Sequence, residues 1–291
     1  MQPFDYIRPS SLAEASQLLA QRQPQARVLA GGVEILPQME LGLVATDLLL
    51  DIKHLPETTR IETDPTTALH CGAAITLRTL VEQSDVRRFF PLLTQVGERI
   101  ASPQIRNRAT VGGAICAAAA NSSLAPALLC YDAVCHLFGP LGTRSLPLAA
   151  FLIGPGQTAL DPGEILTHIT LPIAGRGAKT AYRQVLNTQS GHGPLVGVAA
   201  AASVDNERGP VWRLAVTGAA PHPYRATEAE QMLAGAMPSP ETLAAAATAV
   251  ARSCRPVDDH RASAAYRRAL VAVLARRSLD DIAGQLAGAN A

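Results

Sequence analysis

Near the start of the chain, Leu12, Ala15, Leu18 and Leu19 fall on one face at helical spacing, with polar residues on the other. This period predicts an amphipathic helix to about residue 22. Ser11-Leu12-Ala13-Glu14 fits a capping box, with Ser11 accepting from the helix start and Glu14 reaching back. After Pro24, residues 26–30 read as a short buried strand that runs straight into Gly31-Gly32, and 47–52 as the next strand. Together they close a small α/β unit near residue 55.

Further on, the pattern predicts a strand over 68–74, a helix start over 77–83 and a longer helix over 89–100. The small-residue segment 110–120 and the apolar stretch 124–135 follow, then an alternating strand over 164–171. A glycine-rich joint at 174–177 marks a boundary. Beyond it, 182–186, 196–204 and 211–218 read as antiparallel strands, and 228–233, 240–253 and 263–277 as helices. In the last helix, Tyr266, Leu270, Val273 and Leu274 form an apolar stripe that is read as core.

Composition narrows the class. Hydrophobic residues make up 48% and charged residues 17%, as in a folded globular protein, and the formal net charge of +1 points to neither nucleic acid nor a membrane surface. No apolar run reaches the length of a membrane span, and the first residues lack the regions of a signal peptide, so the expected location is cytoplasmic. The five cysteines form no Cys-x-x-Cys pair, and are read as buried free thiols rather than metal ligands.

Candidate chemistry concentrates in two glycine pairs. Gly31-Gly32 follows a strand, where absent side chains let backbone N–H groups approach an anion. Thr110-Val111-Gly112-Gly113-Ala114 forms a second strand-to-loop pair. Two such loops can grip the two phosphates of one dinucleotide. Neither is a Rossmann or Walker motif, because Gly-x-Gly-x-x-Gly and Gly-Lys-Ser/Thr are absent.

Leu29-Ala30-Gly31-Gly32 with Leu36-Pro37-Gln38-Met39 resembles the first FAD loop of the medium (M) subunits of molybdenum hydroxylases, the carbon monoxide dehydrogenase and xanthine dehydrogenase family. Ile105-Arg106-Asn107-Arg108-Ala109-Thr110-Val111-Gly112-Gly113 resembles their second. Gly72-Ala73-Ala74-Ile75-Thr76, Gly154-Pro155-Gly156-Gln157-Thr158-Ala159-Leu160, Pro162-Gly163-Glu164-Ile165-Leu166 and the segment 256–268 match in the same order, spanning nearly the whole chain. The resemblance implies an α+β fold. Two α/β subdomains of the FAD-binding PCMH (vanillyl-alcohol-oxidase-like) type, 1–57 and 58–175, precede an α+β C-terminal domain with an antiparallel sheet and helices, 176–291. It implies FAD on this chain, with molybdopterin and 2Fe-2S clusters only on partners: a molybdopterin-binding large subunit and a 2Fe-2S small subunit. In that family electrons pass from the iron–sulfur subunit to the flavin, and then to NAD, oxygen or a quinone. The iron–sulfur subunit is expected to dock near residues 100–107 or the flavin edge.

Carried over residue by residue, the resemblance assigns the pyrophosphate loop to Val28, Leu29, Ala30, Gly31, Gly32, Val33, Glu34 and Ile35. The second loop becomes Thr110, Val111, Gly112, Gly113 and Ala114, and Ile100 and Leu166 flank the flavin ring. Several positions depart from the family pattern. Val33 replaces a hydroxyl, Ala114 an asparagine, Ser123 an aspartate and Gln184 a lysine or arginine; Thr188 and His192 replace an arginine and an aspartate. Each lost hydrogen bond costs about 0.5–1.5 kcal/mol, or about 1.5–3 where a charge is involved. Two readings follow: an FAD subunit held through backbone loops, or a family member that has lost FAD and acts as a scaffold or adapted binding protein.

No arrangement of side chains marks a catalytic acid, base or nucleophile, and no metal ligands are assigned on this chain. His192 reads as a solvent-exposed loop residue and His222 as a turn residue. His260 with Asp258 and Asp259 reads as helix-start capping and charge pairing, and Glu34 as a structural cap.

Overall fold

The computed structural model describes residues 2–173, 178–187, 193–205 and 209–288. The joint at 174–177, Thr188 and His192 lie outside the described residues. Side chains are described to 203 in the strand that ends at 205.

Three sheets follow one another along the chain. In the first, Leu48–Asp51 lies between Asp5–Ile7 and Ala26–Leu29, all parallel, with the helix Leu12–Arg22 packed against it. Ser11 caps that helix by accepting from the Glu14 N–H at 3.2 Å. The capping box is altered, however. The Glu14 carboxylate reaches the Ser10 N–H (2.7 Å) and hydroxyl (2.6 Å), one residue before the cap.

The second sheet is antiparallel, in the order Ile61–Asp64, Ala68–Gly72, Ile165–Pro172, Val134–Gly139 and Gly142–Pro147. One face carries Leu69, Cys71, Cys135, Leu137, Ile169 and Leu171, all buried against short helices. The expected helix over 89–100 is broken. Ser84–Phe89 stops at Phe90 (φ −130°), and Pro91 opens a separate helix, Pro91–Gly97. Proline cannot continue the preceding helix but is well placed in a first turn. The apolar stretch 124–135 likewise divides into the helix Leu124–Cys130 and the start of the strand Val134–Gly139, with Asp132 at φ +50° between them.

The third sheet is antiparallel: Lys179–Val185, Val196–Asp205, Gly209–Thr217 and Tyr224–Arg225. The helices Thr227–Met232, Pro240–Ser253 and Ala264–Gly288 belong to the core built on this sheet. The last helix is longer than its period predicts and its apolar stripe is displaced. Tyr266 (52% exposed) and Val273 (45%) face outward, while Arg267, Val271, Leu274, Ala275, Ser278, Leu279, Ile282 and Leu286 are buried. A buried arginine in the inner face causes the misreading. Arg267 donates to the carbonyls of Leu195 and Gly218 (2.9 Å each) and pairs with Asp259 at 2.7 Å. A charge is tolerated inside when it is paired in this way.

Tyr182, on the first strand of this third sheet, is buried in the core of the second sheet, and Arg99 donates to its carbonyl at 2.7 Å. Gly218 N–H donates to Ala120 O at 2.8 Å. The C-terminal half is thereby seated on the segment that carries the second glycine pair. Among the described residues no helix is long and apolar enough to cross a membrane.

Candidate functional site

The strand Ala26–Leu29 leads through Ala30-Gly31-Gly32-Val33-Glu34 into the helix Ile35–Glu40. Gly32 sits at φ +76°, a left-handed conformation that favours glycine. Gly31 is glycine for another reason. A Cβ there would lie 2.1 Å from the Arg108 carbonyl oxygen and 3.2 Å from the Ala109 Cα. The first loop therefore rests directly on the backbone that leads into the second. Among the described residues, no oxygen accepts from the N–H groups of Gly31, Gly32, Val33, Glu34 or Ile35. Gly31 and Gly32 are buried, and buried backbone donors without acceptors are rare. Consecutive free N–H groups of this kind form a cradle for an anion.

The second glycine pair works differently. Gly112 and Gly113 stand in the first turn of the helix Val111–Cys116 rather than in an open loop, and the Thr110 hydroxyl caps that turn by accepting from Gly113 N–H at 3.1 Å. Val111 N–H donates to Ile75 O (2.9 Å), Gly112 N–H to Ala73 O (2.8 Å) and Ala114 N–H to Thr110 O (2.9 Å). The donors of this pair are thus used inside the protein. A Cβ on Gly112 would lie 2.5 Å from the Ala73 Cβ, so this glycine serves close packing.

Both segments border one cavity of about 960 Å³. Val28, Ala30, Gly31, Gly32, Val33, Glu34 and Ile35 line it, as do Ile100, Thr110, Gly112, Gly113, Ala114, Ser123 and Leu166. Three of the residues assigned from sequence do not. Leu29 packs with Met39 and Leu49 in a separate apolar cluster, and Val111 is fully buried in the central core. Gln184 accepts a hydrogen bond from the Tyr182 hydroxyl at 3.0 Å and stays off the cavity wall. The Glu34 carboxylate makes no helix cap. It accepts from Gln38 Nε2 at 2.9 Å, one turn along.

The structure adds lining residues that sequence reasoning missed, among them Asn121, Leu160, Asp161, Glu164, Asn187, Leu195, His260 and Arg261. Several lie in segments whose resemblance was visible, but nothing local marks them as cavity residues. The charge-pairing reading of the C-terminal aspartates agrees with the geometry. Asp258 accepts from the Ala264 N–H, and Asp259 pairs with both Arg261 and Arg267. His222 is held at its turn by Pro223 O at 3.0 Å.

The cavity's charges are largely fixed. Arg144 grips Glu164 in a fork, with two bonds of 2.6 Å, and this pairing, against some burial, holds the Glu164 carboxyl below the ordinary carboxylate range. The Arg261 side chain beside Asp259 likewise holds that carboxyl low. The cysteines are free thiols; Cys116 lines the cavity, and burial pushes its thiol up to about 12, as it does for Cys71 and Cys135. No cluster of His, Cys, Asp and Glu among the described residues could hold a metal ion.

A cavity that combines an orphaned N–H cradle with apolar walls at Ile100, Leu124, Leu166 and Leu195 fits a long phosphate-bearing cofactor with a planar ring. The comparisons with known proteins agree. Residues 2–174 match the FAD binding domain in molybdopterin dehydrogenase, and residues 180–282 match the CO dehydrogenase flavoprotein C-terminal domain. The chain therefore belongs to the family of FAD-binding medium subunits of the molybdenum hydroxylases. It is 33% identical over 289 residues to the xanthine dehydrogenase FAD-binding subunit of Escherichia coli O157:H7, covering 97% of each chain. It is 31% identical over 277 residues to the carbon monoxide dehydrogenase medium chain of Hydrogenophaga pseudoflava, covering 95% of this chain and 96% of that one. The solved carbon monoxide dehydrogenase from that organism, in a form lacking the Mo-pyranopterin moiety, superposes with a TM-score of 0.92 at 31% identity over 97% of each chain. Quinoline 2-oxidoreductase from Pseudomonas putida 86 gives a TM-score of 0.89 at 27% identity over 98% of each.

Proposed function

We propose that this chain is the FAD-binding electron-transfer subunit of a molybdenum hydroxylase complex, receiving electrons from an iron–sulfur subunit and delivering them to an external acceptor. The observation that carries this reading is the run of N–H groups from Gly31 to Ile35 on the cavity wall that have no acceptor among the described residues. These groups would hold the pyrophosphate, and Ile100 and Leu166 would flank the ring. When bound, FAD supplies reversible electron transfer, and the protein supplies position, exclusion of water and electrostatic tuning. The molybdopterin and 2Fe-2S centres are assigned to a large and a small partner subunit, in keeping with the family.

The departures at Val33, Ala114 and Ser123 remove side-chain contacts but leave the first-loop backbone intact. Flavin retention therefore rests on backbone donors. Releasing flavin by denaturation and measuring it per chain tests this directly: close to one FAD per chain is expected. A colourless protein that takes up no added FAD would overturn the reading and leave the scaffold alternative in its place.

A further inference from the structure

The cavity wall around Ser122 and Ser123 is held from behind by the third sheet. Ala120 O accepts from the Thr217 hydroxyl at 3.1 Å and from the Gly218 N–H at 2.8 Å. Both serines stand at the start of the helix Leu124–Cys130, where a serine ordinarily spends its oxygen on a backbone N–H. Only Ser122 does so, accepting from the Ala125 N–H at 3.3 Å; Ser123 makes no side-chain cap bond. The Ser123 side chain instead meets the Tyr182 hydroxyl. Burial pushes that hydroxyl above the ordinary phenol range, and its hydrogen bond with Ser123 draws it partly back. Tyr182, 4% exposed, in turn donates to Gln184 Oε1 at 3.0 Å. Gly197, the cross-strand partner of Gln184, makes room for this arrangement, since a Cβ there would lie 2.9 Å from the Tyr182 hydroxyl oxygen.

A phenol carries one proton. With that proton committed to Gln184, Tyr182 can only accept from Ser123, so the Ser123 proton is turned away from the cavity and its lone pairs are left to face it. Resting on the FAD reading above, we propose that Tyr182 is a positioning residue that fixes Ser123 as a hydrogen-bond acceptor for a hydroxyl or ring N–H of FAD. Ser123 thereby keeps the acceptor character of the aspartate that the family resemblance places there, without its charge. Gln184, which stands in place of a lysine or arginine, is the neutral far end of the same hydrogen-bonded chain. Two departures that look independent in the sequence are thus joined through Tyr182, and neither leaves an ionised group to be desolvated.

The test is a double-mutant cycle on the full chain, read by equilibrium FAD titration with flavin fluorescence. Tyr182→Phe removes the hydroxyl and keeps the ring. It and Ser123→Ala should each weaken FAD by about two- to tenfold, and the double variant should lose no more than Ser123→Ala alone, because Tyr182 acts through Ser123. Ser123→Asp supplies an acceptor that needs no relay, so in that background Tyr182→Phe should leave FAD affinity unchanged. Thermal melts of the flavin-free variants separate packing from positioning: a lower Tm with wild-type FAD affinity in Tyr182→Phe overturns the proposal, as do additive losses in the double variant. Should Tyr182→Phe be too unstable to titrate, Gln184→Met interrupts the chain at its far end, and its cycle with Ser123→Ala decides the matter in the same way. Either failure leaves the FAD reading standing, whereas a wild-type chain that takes up no FAD overturns both.

Discussion

Gly31→Ala probes the contact on which the site depends. The added Cβ would sit 2.1 Å from the Arg108 carbonyl oxygen, whereas ordinary contact begins at 3.4 Å. Both atoms belong to stiff backbone, so the loops must part by about 1.3 Å, the difference between those two distances. Overpacking of this kind costs about 1–3 kcal/mol. At about 2–4 °C per kcal/mol for a protein of this size class, Tm should fall by between about 2 and 12 °C. The same movement takes the Gly31 and Gly32 N–H groups off the position proposed for the phosphate. Losing one bond to a charged oxygen costs about 1.5–3 kcal/mol, or roughly ten- to a hundredfold in FAD affinity. Gly42→Ala is the control. That glycine has φ +70° with no atom within 4 Å, so the change should cost about 1–2 kcal/mol of left-handed strain and leave FAD binding alone. FAD titration by fluorescence, with thermal melts of both variants, reads the difference. Wild-type FAD affinity in Gly31→Ala, or an equal loss in Gly42→Ala, would refute the argument.

Thr110→Val removes the cap of Val111–Cys116 and should cost about 0.5–2 kcal/mol in a denaturant melt. Because the donors of that turn are used internally, FAD affinity should move less than tenfold; a larger loss would mean that the second glycine pair holds phosphate after all. Arg267→Met strips the partners from Leu195 O and Gly218 O and should lower stability by about 3–5 kcal/mol, seen as a lower denaturant midpoint at unchanged slope. His168, stacked on His136 at 4.2 Å, is pushed down to about 4 by burial and by the neighbouring His136 and His70. The folded state therefore binds fewer protons than the unfolded chain as pH falls from about 6.5 to 4, and stability declines through that window. His168→Asn should flatten the Tm–pH curve there, and an unchanged slope would remove His168 as its source.

Features set by neighbours in sequence were legible before the structure. The helix Leu12–Arg22 and its Ser11 cap follow from period and cap chemistry alone, as do the strands Ala26–Leu29 and Leu48–Asp51. What failed depends on distant partners. The last helix presents a different face because Arg267 is satisfied by Leu195 and Gly218, far away in the chain. Gly112-Gly113 reads as a phosphate turn, yet Ala73 O and the Thr110 hydroxyl take its donors. Gln184 sits in the expected strand, but its Oε1 is engaged by Tyr182 rather than facing the cavity. His260 and Arg261 reach the cavity only because the C-terminal half folds back onto it. The order of matching segments could reveal the family; it could not reveal which donors were already in use.

The asymmetry between the two loops gives a last prediction. With the second loop's donors engaged, the proposed grip on FAD rests chiefly on the Gly31–Ile35 side, and Ala114 stands where the family resemblance places an asparagine. Ala114 lines the cavity and is half-buried, so an amide introduced there has room to approach the cofactor without opening the core. Ala114→Asn should add one hydrogen bond worth about 0.5–1.5 kcal/mol, tightening FAD by about two- to tenfold. Because Ala114 N–H already donates to Thr110 O in the helix, the change should leave Tm of the flavin-free protein nearly unaltered. Equilibrium FAD titration at several salt concentrations separates the new neutral contact from the phosphate grip, since only the grip should weaken with salt. If Ala114→Asn fails to tighten FAD, or loosens it, the cofactor does not pass beside Ala114, and the second loop serves only to buttress the first through Gly31 and Arg108.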